Sequence, residues 1–115
     1  MVSVKKTDVA ELEDVANLRA TARRLGQACA AEKVILFGSR ASGRASAESD
    51  VDLALILPDG SNARATLNIA HRLLWPRKFP IDLVVITATV WAGKSTLLAR
   101  EIEAHGIMLY ERGAV

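Results

Sequence analysis

Two stretches of this chain are near copies of each other: Val51-Asp-Leu-Ala-Leu-Ile56 and Ile81-Asp-Leu-Val-Val-Ile86. Each is a short apolar run with an aspartate in second place, too short for a buried helix and rich in β-branched residues, so both are expected to be strands. Lys33-Val-Ile-Leu-Phe37, ended by Gly38-Ser39, and Ile107-Met-Leu-Tyr110 read the same way. Between them the apolar spacing becomes helical. Over 8–31, Val9, Leu12, Val15, Leu18, Ala22, Leu25 and Cys29 recur at three and four, with Thr7 or Asp8 as cap and acids in the early turns. Residues 61–75 fit a second helix, capped by Ser61 or Asn62, with Leu67, Ala70, Leu73 and Leu74 inward and Pro76 as its stop. Residues 89–105 fit a third, with Leu97, Leu98 and Ile102 buried and Gly106 ending it. The order is α-β-(short α)-β-α-β-α-β, an α/β fold in a single domain spanning 1–115.

Composition narrows the function classes. No stretch approaches the ~18 apolar residues of a membrane span. The N-terminus has no apolar run of the secretory type, so the cytoplasm is the expected compartment. A single cysteine excludes an internal disulfide framework and a multi-cysteine zinc site. Cys29 lies on the apolar stripe and is expected to be a buried structural thiol. A net charge of +2 does not imply a nucleic-acid partner, and 4% aromatics argue against a base-stacking platform.

The chemistry concentrates around residues 38–52 and 82. On a strand, Asp50 and Asp52 project to one side, about 6.6–6.8 Å apart along the chain, while Val51, Leu53 and Leu55 face the core. Carboxylates this close repel unless a cation lies between them. An all-oxygen site suits Mg²⁺ or Mn²⁺ rather than zinc. Gly38 follows a strand and Ser39 opens the short helix, where backbone N–H groups and a hydroxyl can hold a phosphate. If the two similar strands pair, Asp82 sits beside Asp52. Asp59, in the Pro-Asp-Gly turn, is read as structural.

Two lookalikes carry less. Ala92-Gly-Lys-Ser-Thr96 imitates the end of a P-loop, but Ala88 stands where the motif needs glycine. Gly93 is expected to interrupt or start a helix. His71 and His105 have neither metal-ligand spacing nor a nearby nucleophile, and read as surface residues.

Gly38-Ser39-Arg40-Ala-Ser-Gly43-Arg44 followed by Ser49-Asp50-Val-Asp52-Leu53 resembles the signature of the DNA-polymerase-β-like nucleotidyltransferases, and within them the minimal nucleotidyltransferases (MNT) whose antitoxin members pair with HEPN proteins. The resemblance implies the nucleotidyltransferase palm, a small mixed β-sheet with helices packed on one face. It implies that Asp50, Asp52 and Asp82 bind two Mg²⁺ or Mn²⁺ ions as catalytic acids. Gly38 and Ser39 would hold the terminal phosphates of the nucleotide. Arg40 and Arg44 either join them or solvate the short helix. The implied reaction moves AMP from ATP to an acceptor hydroxyl, with a tyrosine of a HEPN toxin favoured. The helix at 8–31 and the Arg64–Arg77 region would offer the docking surface. The alternatives are an antitoxin that neutralises by binding alone and a transferase acting on a small molecule such as an antibiotic. No nucleic acid is required, and oligomerisation is left open.

Overall fold

The computed structural model describes residues 6–38, 41, 51–75 and 81–113, with the backbone alone for 6–16. The elements are α1 (Lys6–Ala28), β1 (Lys33–Phe37), β2 (Val51–Leu57), α2 (Ala63–Leu74), β3 (Ile81–Thr87), α3 (Ala88–Gly93), α4 (Leu97–His105) and β4 (Ile107–Glu111). The strands form one four-stranded mixed sheet in the order β3-β2-β1-β4. β1 is antiparallel to both β2 and β4, and β2 is parallel to β3. A parallel neighbour needs a crossover, and α2 makes it, carrying the chain back from the end of β2 to the start of β3.

Strand period two divides the core into two layers. Val34, Leu36, Val51, Leu53, Leu55 and Leu57 face α1 and α2, where they bury Leu18, Ala22, Leu25, Cys29, Ala70 and Leu74. The other face carries Ile35, Ala54, Ile56 and Ile86 against Ile102 of α4, with Val90 and Trp91 of α3. The long helices thus pack on one face, and the two short ones add a partial cover to the other. Gly26, unfavourable within a helix by about 1 kcal/mol, sits in α1 where a Cβ would run into the ring of Tyr110.

The caps show why the helices begin where they do. Asn62 Oδ1 accepts the Ala65 N–H at 3.0 Å, and Thr96 Oγ1 accepts the Ala99 N–H at 3.1 Å, each satisfying an orphan donor of a first turn. Thr66 is the one buried polar residue among those described, and its hydroxyl donates to the Asn62 carbonyl at 2.9 Å. Trp75 adopts φ −87°, ψ 138°, the extended backbone that a following proline demands.

The third helix differs from the sequence expectation. It is not continuous over 89–105 but breaks into α3 and α4 where Gly93 was expected to interrupt it, with Lys94 in the left-handed conformation (φ 49°, ψ 44°). Its ammonium lies 3.8 Å from the Trp91 ring centroid and 3.0 Å from Glu103 Oε2, and donates to the Trp91 carbonyl. These contacts replace the helical continuation. α4 restarts at its own cap, Thr96, with Ala99 and Ile102 inward. Leu97 and Leu98, expected to be buried, are 77% and 41% exposed. The inward Lys94 also removes the cation that a P-loop would need to offer a phosphate. Of the α1 stripe, Val9, Leu12 and Val15 have side chains outside the described set, as does the short helix expected near 39–49.

Candidate nucleotide-transfer site

β2 is the most enclosed strand: of its seven residues only Asp52 is not buried. A carboxylate in that place needs an outlet from the core, and Asp52 sits where the strand starts, at the sheet's rim. The parallel register sets Asp52 opposite Asp82, so the two aspartates occupy adjacent strands, point to one face and have Cα atoms about 4.8 Å apart. Asp82 is exposed. Both lie on the face of Ala54, Ile56 and Ile86, at the starts of their strands.

β1 delivers its C-terminal end to the same rim, because it runs antiparallel to β2 with Phe37 opposite Asp52. Gly38 follows with φ +77°, and a Cβ built there would strike Asp52 Oδ2 and lie 3.2 Å from its Cγ. Only glycine meets both conditions. The strand-end glycine leaves an approach over the Asp52 carboxylate that any side chain would fill.

The expected set is therefore brought together in part. Gly38, Asp52 and Asp82 converge. Ser39, Arg40, Arg44 and Asp50 lie outside the described residues. Among the described residues no group of three His, Cys, Asp or Glu side chains could hold a metal ion. The donor chemistry fits a hard divalent cation nonetheless, with two carboxylates in register and a cradle that a Cβ would close.

The remaining candidates are structural. Cys29 is buried, its thiol pushed up by that burial, and Sγ reaches the Thr66 carbonyl at 3.8 Å. His105, exposed, lies 3.8 Å from Glu101 one turn back. Asp59 does more than shape its turn. It accepts the Thr89 N–H at 3.1 Å and the Thr89 hydroxyl, tying the β2–α2 turn to the first turn of α3. Those two donors hold its carboxyl below the usual carboxylate range. The partnership spans thirty positions and has no local sequence signal.

The family model described as polymerase beta, nucleotidyltransferase, matches residues 6–114. The chain belongs to the polymerase-β nucleotidyltransferase family. It is accordingly a nucleotidyltransferase domain, of a superfamily whose members generally use divalent metal ions and nucleoside triphosphates. Among solved structures, this nucleotidyltransferase is similar to a protein from Sulfolobus solfataricus assigned to the same activity, at 17% identity and TM-score 0.58, covering 89% of this chain and 87% of that one. It is also similar to a chain of a toxin–antitoxin crystal structure with AMP-PNP, at 23% identity and TM-score 0.62, covering 83% of this chain and 74% of that one. At those identities the likeness is one of fold. No curated protein matches the chain. Among the described residues no helix of this nucleotidyltransferase is long and apolar enough to cross a membrane.

Proposed function

We propose that the protein is an MNT-type antitoxin that transfers AMP from ATP to a hydroxyl of a HEPN toxin, with tyrosine the favoured acceptor. The observation that carries this reading is the in-register Asp52–Asp82 pair with Gly38 held against Asp52. The toxin–antitoxin neighbour with AMP-PNP supports both the nucleotide and the partner class.

In this reading Asp50, Asp52 and Asp82 hold the divalent ions. When bound, such ions neutralise phosphate charge and lower the pKa of a coordinated hydroxyl. The chain's own groups do the rest. Gly38 keeps the approach to Asp52 open, and the backbone N–H groups after it, with the Ser39 hydroxyl and Arg40, bind the β- and γ-phosphates. Asp82, on the exposed edge strand, takes the acceptor's proton. The acceptor oxygen then bonds to the α-phosphorus, the bond to the bridging oxygen of the β-phosphate breaks, and pyrophosphate leaves. Positioning and fixed charge supply most of the acceleration.

The test is mass spectrometry of a co-purified HEPN-type toxin after incubation with ATP and Mg²⁺. A gain of one AMP, or a short run of them, is expected with the wild type and none with Asp50→Ala/Asp52→Ala. Full neutralisation by that double variant, with no added mass from the wild type, would leave an antitoxin that acts by binding alone.

A further inference from the structure

The acceptor must be brought to the site, and the outward face of α2 combines exposed charge with exposed apolar side chains. Residues 60–80 contain no aspartate or glutamate, and neither do residues 15–31. On α2, Thr66, Ala70 and Leu74 point into the core. Arg64, Asn68 and Arg72, four apart, therefore share the opposite face, and Trp75 lies three residues on. The stripe is about 16 Å long. Trp75 is 77% exposed, and Ile69, one residue round from Asn68, is 45% exposed. Arg24 of α1 is exposed in the same helical layer. Among the described residues no ion pair involves Arg24, Arg64 or Arg72.

Three occupants can be weighed. A second copy would set arginine against arginine across a two-fold axis, which repels. A nucleic-acid backbone would satisfy the guanidiniums but offers nothing apolar to Ile69 and Trp75. An acidic protein surface carrying apolar side chains meets both, and exposed Trp and Arg are the residue types that dominate protein–protein hot spots. The position is also apt. α2 runs from the far end of β2 back to the rim where Asp52 and Asp82 start their strands, so Trp75 ends at the site's end of the sheet.

We infer that the outward face of α2, with Arg64, Ile69, Arg72 and Trp75 as anchors, docks an acidic, partly apolar surface of the protein that supplies the acceptor hydroxyl. This rests on the transferase–partner reading above. The experiment is calorimetric titration of the chain with a purified HEPN-type toxin, using wild type, Arg64→Glu/Arg72→Glu and Ile69→Ala/Trp75→Ala. Each double variant should weaken binding roughly tenfold or more, and Arg64→Lys/Arg72→Lys should recover part of the loss. ATP affinity should be unchanged throughout, which reports that the fold is intact. Should a double variant lose ATP binding, the exposed single change Trp75→Ala decides in its place. Wild-type affinity in every variant would overturn the docking face while leaving the transferase reading standing. Strong binding of duplex DNA through the same arginines, with no toxin bound, would make the face a nucleic-acid surface and overturn the proposal. No binding of toxin or DNA by the wild type would remove both the partner reading and this inference.

Discussion

At the scale of single residues the site turns on atoms too close to admit alternatives. Gly38 combines a positive φ with contact against Asp52, whereas Gly60 has a positive φ of 85° and nothing within 4 Å of its would-be Cβ. The two separate backbone cost from steric cost. Gly60→Ala should lose about 1 kcal/mol, the left-handed penalty alone. Gly38→Ala should lose more and should also abolish nucleotidyl transfer, because its methyl displaces the Asp52 carboxylate. Urea midpoints and a transfer assay on both variants check this, and equal stability losses with normal transfer in Gly38→Ala would remove the steric argument. Asp82→Asn should abolish transfer while shifting stability by no more than ~0.5 kcal/mol, since the side chain is exposed. A large loss of melting temperature with transfer intact would make Asp82 a structural residue.

At the scale of elements, what was legible followed from period and composition. β1 and β2 lie where their apolar runs end, and Asn62 caps α2 as its side chain requires. The repeated Asp in second place foretold the Asp52–Asp82 row once the strands were assumed to pair. Two features were not legible. Gly93 marked the α3–α4 break, but the contacts that fix it, Lys94 against Trp91 and Glu103, are tertiary and left no trace in the sequence. The Asp59–Thr89 clasp joins residues that only the fold brings near. The clasp gives a pH signature. Its carboxyl titrates lower folded than unfolded, so its stabilisation is fully present above the unfolded aspartate value of about 3.9 and is lost as pH falls through the folded value. The gap in melting temperature between wild type and Asp59→Asn should be steady around pH 6 and narrow as the pH is lowered below about 3.9. A constant gap across that range would mean that the carboxylate's charge contributes nothing.

At the scale of the whole molecule, the proposed reading puts two jobs, transfer and partner docking, on opposite sides of the sheet. Asp52 and Asp82 stand at the rim of the face that α3 and α4 cover in part, and the α1–α2 layer behind presents arginines with no acid among residues 15–31 and 60–80. Asp82 stands on β3, the edge strand, so a partner seated on α2 can reach round that edge to the site without crossing the core. The arrangement predicts that binding and transfer come apart under mutation. Asp50→Ala/Asp52→Ala should bind a HEPN-type toxin with wild-type affinity and add no AMP to it. Arg64→Glu/Arg72→Glu should bind ATP normally and fail to modify the toxin at low concentration. It should regain transfer as toxin concentration is raised, because its loss lies in encounter and retention rather than chemistry. Initial rates of AMP incorporation against toxin concentration test this, with a raised KM and an unchanged kcat expected for the arginine variant. A fall in kcat at saturating toxin would instead place those arginines' influence inside the transfer step and undo the division of labour between the two faces.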